Sequence, residues 1–134
     1  MIDSANDRQV GGQHYRDSSP EFQHWDLMGL NNVGYFPGQI TKYVTRWRKK
    51  GRLQDLEKAE HYLEKLIELT VNRVMSLPQP REIVLLDKFA TSQKLHNIEL
   101  RIFKKVLGYT NLGELNEALD LIQELRWGFE EVEP

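Results

Sequence analysis

Gly38-Gln-Ile-Thr-Lys-Tyr-Val-Thr-Arg-Trp-Arg-Lys-Lys-Gly51 decides how the rest of the chain is read. Ile40, Tyr43, Val44 and Trp47 fall at i, i+3, i+4 and i+7, which is the apolar stripe of an α-helix. Lys42, Arg46 and Lys49 repeat at i, i+4 and i+7, so cations run beside that stripe. Pro37 suits a first helical turn and Gly51 a left-handed C-terminal cap, so the spacing predicts a helix from Pro37 to Gly51. Between Gly38 and Arg52 there are six cations (Lys42, Arg46, Arg48, Lys49, Lys50 and Arg52) and no acid.

Downstream, Leu53, Leu56, Ala59, Leu63, Leu66, Ile67, Thr70, Val71 and Val74 predict a second helix from Leu53 to Val74. The link at Gly51 is short enough to set the two antiparallel. Ser76-Leu-Pro-Gln-Pro80 stops that helix, because proline lacks the amide and crowds the preceding turn. A long helix is expected from Arg81 to Leu107, with Ile83, Leu86, Phe89, Ala90, Ile98, Ile102 and Val106 inward and Gly108 ending it. Asn111 followed by Glu114 resembles a capping box. The last helix buries Leu115, Leu119, Ile122 and Leu125 and is expected to end near Gly128.

Upstream, residues 1–36 are dense in Gly, Asn, Asp, Ser and Pro, which predicts an irregular arm carrying at most one short helix. Its apolar patch of Phe22, Trp25, Leu27, Met28 and Leu30 is expected to fold back on the core. No alternating strand pattern of useful length occurs. The expected fold is all-α, with five helices or fewer in three segments: the arm 1–36, the helical hairpin 37–76 and a C-terminal helical pair 77–134. The apolar faces and opposed charged ends suit a homo-oligomer.

The 134 residues amount to one domain, 40% hydrophobic and 28% charged. With 18 Lys+Arg against 20 Asp+Glu the net charge is −2, which excludes a uniformly basic nucleic-acid coat. That balance hides segregation: residues 111–134 hold seven acids against Arg126 alone. The chain has no cysteine, which excludes disulfides, thiolate zinc sites and cysteine nucleophiles. No apolar run approaches the ~18 residues of a membrane span, and Met1 to Arg8 does not read as a signal peptide. A cytoplasmic protein with no membrane partner is expected.

Two segments point to anions. The row Lys42, Arg46 and Lys49 could hold phosphate oxygens through charge-assisted hydrogen bonds, or could be a solvated face that balances acids. In Val10-Gly-Gly-Gln-His-Tyr-Arg16, adjacent glycines let backbone amides converge on an anion, with His14, Tyr15 and Arg16 beside them. A glycine turn that docks Tyr15 in the core satisfies the same residues.

Together with Asp55-Leu-Glu-Lys-Ala-Glu-His-Tyr-Leu-Glu-Lys-Leu-Ile67, these segments resemble the SaV-like phage family. Its pattern reads V-G-G-x-H-Y, G-N-x-I-K-Y-x-x-R-[YW], then D-L-x-K-A-x-x-Y-L. Gln39 stands where that pattern has Asn, and Thr41 where it has Ile. One phage member is a nucleotide kinase that acts on deoxynucleoside monophosphates without a P-loop. The resemblance implies nucleotide binding through Gly11, Gly12, His14 and Tyr15, through Lys42, Tyr43 and Arg46, and through Asp55, Lys58 and Tyr62. On this reading Lys42 and Arg46 take phosphate under the Gly11-Gly12 amides, with Arg16, Lys49 and Lys58 as further cations. Tyr15 or Trp47 stacks a base, and His14 or Asp55 moves a proton.

A kinase of this kind requires a nucleoside triphosphate donor and Mg²⁺ as cofactors. No Walker motif is present. Sequestration of a host nucleotide messenger, an anti-defence role, needs the same pocket without catalysis. Glu57-x-x-Glu60 and Glu117-x-x-Asp120 have the spacing of an all-α magnesium pyrophosphatase. DNA binding through the Lys42–Arg52 segment is disfavoured by its lack of helix-turn-helix context and by the acidic balance, so nucleic acid is not the expected partner.

Overall fold

A computed structural model describes residues 22–132, and all regular structure among them is helical. Six helices follow in order: α1 (His24–Leu30), α2 (Tyr35–Arg46), α3 (Arg52–Val71), α4 (Leu86–Gln93), α5 (Asn97–Leu107) and α6 (Leu112–Val132). The all-α expectation therefore holds among the described residues, with one helix more than expected. Gly11, Gly12, His14, Tyr15 and Arg16 lie outside those residues.

Four helices close a ring of packing: α2 against α3, α3 against α6, α6 against α5, and α5 back against α2. The cross-helix pairs Arg46–Asp55 and Tyr43–Tyr62 step in opposite directions along the two chains, so α2 and α3 run antiparallel. Ile40, Val44, Ala59, Leu63, Leu66, Ile102, Phe103, Val106, Leu115 and Ile122 fill the core of this ring. Such burial is worth roughly 1.5–3 kcal/mol for each large side chain. α1 and α4 pack on each other, and α1 also packs on α2. No helix among the described residues is long and apolar enough to cross a membrane.

Several boundaries depart from the sequence expectation. α2 begins at Tyr35, which puts Pro37 in its first turn, and ends at Arg46. Gly51 is not the left-handed cap: its φ is −86°, and Arg52, with φ 49°, takes that conformation instead. Glycine is required at 51 for room, because a Cβ there would lie 2.0–2.2 Å from the Asp55 carboxyl atoms. α3 stops at Val71, which leaves Val71 and Val74 exposed.

The expected helix from Arg81 to Leu107 is two helices. Residues 81–85 are not helical, Leu85 and Lys94 are both left-handed, and the amide of Leu95 bonds back to the Ala90 carbonyl at 2.9 Å. The amide of His96 then donates to Glu99 at 2.8 Å and caps α5. At the start of α6 the expected cap is present: the Glu114 amide donates to the Asn111 side chain at 2.9 Å. α6 itself continues past Gly128 to Val132.

Candidate functional site

The turn between α2 and α3 is built around Asp55. Its Oδ2 accepts the Gly51 amide at 2.9 Å and the Arg46 Nε–H at 3.0 Å, and the residue is 1% exposed. The sequence reading gave Asp55 a proton to move. In the fold its carboxylate is enclosed and committed to Arg46 and the turn, which makes it a positioning group for the guanidinium.

One turn along, Trp47 is 5% exposed, and its indole N–H donates to Glu99 Oε2 at 3.2 Å. Arg48 reaches the same oxygen through Nε at 2.9 Å and a terminal nitrogen at 2.8 Å, and its guanidinium lies 4.4 Å from the Trp47 ring centroid. Phe129 meets Trp47 edge-on at 6.1 Å. This knot ties α2 to α5 and α6, so Trp47 is not open to a base, contrary to the sequence expectation. Glu99 escaped the sequence reading because it fell inside one supposed long helix. The signal was the empty apolar register between Ala90 and Ile98.

The other flank of α2 is open. The Nζ atoms of Lys42 and Lys58 lie 5.2 and 5.3 Å from the centroid of the Tyr43 ring, and the Arg46 guanidinium lies at 5.6 Å. Tyr43 stacks on Tyr62 at 6.0 Å with 15° between planes. Tyr62 in turn meets Tyr35 at 6.1 Å and Phe36 at 6.4 Å. The neighbouring Tyr62 phenol raises the Tyr35 phenol above its ordinary pKa. Among the described residues only Arg46 of the three cations has an acid partner. Three positive charges around one ring repel each other, and an anion between them relieves that repulsion. The structure therefore brings Lys42, Tyr43, Arg46, Lys58 and Tyr62 together.

Lys49 lies beyond the end of α2 and is exposed. Tyr35 is the residue that sequence reasoning misses, because the expected helix starts at Pro37, two residues after it. With the helix started at Tyr35, the series Tyr35, Gln39, Lys42 and Arg46 falls on one face.

His24 supports this flank from below. Its Nε2 is 2.8 Å from the Thr41 hydroxyl, which donates to the Pro37 carbonyl at 2.9 Å. Phe89 meets the imidazole edge-on at 6.2 Å. Burial, and then the Lys42 charge, lower the His24 pKa from 6.5 to about 4. Thr41 is thus the partner of a neutral histidine.

The acids of the magnesium reading are placed apart. Glu60 accepts from Gln123 at 3.0 Å and pairs with Arg126, while Glu117 pairs with Lys105. Among the described residues no three metal-ligating side chains cluster. A separate open cavity of about 640 Å³ is lined by residues 81–83 and 85–88 together with Lys104 and Gly108, and shares no residue with the Tyr43 flank. There Arg81 bonds the carbonyl of Asn31 and, at 3.5 Å, that of Leu107.

No curated protein and no solved structure matches the chain. A family model described as a protein of unknown function (DUF3310) matches residues 11–64, under half of the sequence. The matched stretch holds the Gly11-Gly12 motif and every residue of the Tyr35–Tyr43–Tyr62 flank, and it ends before α4.

Proposed function

We propose that the chain binds a nucleotide on the open flank of α2 and α3, with Lys42, Arg46 and Lys58 holding its phosphate. One observation carries the reading: three cation heads lie 5.2–5.6 Å from one tyrosine ring, and a single described acid answers them. Each charge-assisted hydrogen bond to phosphate is worth roughly 1.5–3 kcal/mol. Three approach the ~8 kcal/mol of a micromolar complex before ordering costs. Asp55 lowers that cost by fixing the Arg46 guanidinium in advance. Gly11 and Gly12, outside the described residues, are the further amide donors that the resemblance implies.

The geometry favours binding over turnover, since Asp55 is enclosed and His14 alone remains of the two proton-moving candidates. The resemblance to the SaV-like family, with its nucleotide kinase, supports the ligand class. The test is incubation of the purified protein with nucleoside mono-, di- and triphosphates and Mg²⁺, followed by denaturation and mass spectrometry. Recovery of an intact, stoichiometric nucleotide is expected. A newly formed diphosphate makes the protein a phosphotransferase, and no retained nucleotide overturns the reading.

A further inference from the structure

Stacking a nucleobase requires a ring with an uncovered face close to the phosphate-binding cations. Trp47 is 5% exposed and closed by Glu99 and Arg48, so it offers none. Tyr43 is covered by Tyr62 in parallel stacking and by its cations. Tyr35 is different. It is 63% exposed, and its described ring neighbours meet it at steep angles, Phe36 at 89° and Tyr62 at 68°, so neither lies flat on it. It belongs to the same chain of ring contacts, one tyrosine beyond the Tyr43–Tyr62 pair.

We infer that Tyr35 is the platform on which the base of a bound nucleoside monophosphate stacks, while Lys42, Arg46 and Lys58 hold its phosphate. This rests on the phosphate-binding reading above and adds the second half of the ligand. Tyr35 and Lys42 stand seven residues apart on α2, about 10 Å along the axis, a span that a sugar and its ester linkage bridge. The Tyr62 ring, edge-on at 6.1 Å, restrains the Tyr35 side chain, which reduces the entropy lost on stacking. The edge contact with Phe36 at 5.2 Å restrains the same ring.

The test compares the common nucleoside 5′-monophosphates with ribose 5-phosphate, which carries the phosphate and lacks the base, by calorimetry. The wild-type protein is expected to prefer at least one nucleoside monophosphate by about tenfold or more, the scale of one stacked base. Tyr35→Ala is expected to bring that ratio close to one while the affinity for ribose 5-phosphate stays unchanged. Tyr35→Phe is expected to keep most of the preference. Unchanged binding of ribose 5-phosphate also shows that the variant is folded. A preference that survives Tyr35→Ala, or no preference in the wild type, overturns the platform and leaves the phosphate site standing. Failure of every phosphate ester to bind the wild type overturns both.

Discussion

Tyr43 on α2 and Trp47, the residue that caps its C-terminal end, sit one turn apart, each with a guanidinium against its ring, and the fold uses them in opposite ways. Around Trp47 the positive charge is answered from within: Glu99, 1% exposed, takes the indole N–H and Arg48 together. Around Tyr43 three cations gather and Asp55 answers only one of them. An aromatic residue with neighbouring cations is thus internal cement where a buried acid answers the charge, and a surface that keeps positive charge where the acid answers only one cation of three. The deciding residue is the acid supplied by another helix.

Acidification tests the foundation of the open flank and has the largest expected effect. His24 stays neutral in the fold down to about pH 4, whereas in the unfolded chain it protonates near 6.5. The unfolded state therefore binds more protons across that window, and stability falls as pH drops from 6.5 to 4. The loss reaches about 3 kcal/mol and is flat below that range. Urea unfolding at stepped pH values measures it, and a flat profile between pH 6.5 and 4 contradicts the buried neutral imidazole.

Glu99→Gln tests the closed side. Removing the charge that Arg48 and Trp47 share costs about 2 kcal/mol, less than a wholly buried pair because Arg48 reaches water. Chemical denaturation is expected to show that loss, with nucleotide affinity unchanged. A fall in affinity equal to that of the open-flank variants erases the contrast between the two sides.

Gly51→Ala drives a Cβ into the Asp55 carboxylate and so loosens Arg46 without touching a ligand. The expected outcome is a stability loss of about 1–2 kcal/mol, in the usual range of such steric changes, together with weaker nucleotide binding. Smallest in stability is Lys42→Met. Burial is the main cause of the low His24 pKa and the Lys42 charge the second, so an NMR titration of this variant is expected to show the imidazole pKa moving part of the way up from about 4.

Much of the hairpin was legible in the sequence, because Ile40, Val44, Leu56, Ala59 and Leu63 repeat with the helical period and all are buried. The cap at Asn111 was equally plain, since an amide side chain before a periodic run has few other uses. The break at Lys94 was not. It depends on a left-handed conformation at a lysine, a choice made by packing and not by propensity. Gly51 was recognised as special for the wrong reason: local rules see a cap, while the true constraint is the Asp55 carboxylate folded against it. Within the site, Lys42, Tyr43, Arg46 and Lys58 were named from spacing and resemblance. Burial of Trp47 by Glu99 joins two helices some fifty residues apart in sequence, and no local pattern carries that.

The central claim is that the uncompensated cations around Tyr43 hold a nucleotide's phosphate. Calorimetric titration of a nucleoside monophosphate into Lys42→Ala/Lys58→Ala, beside the wild type, measures it most directly. The account predicts an affinity loss of about a hundredfold, from two charge-assisted hydrogen bonds at the low end of their range, with an unchanged melting temperature. Equal affinity in the two proteins contradicts it.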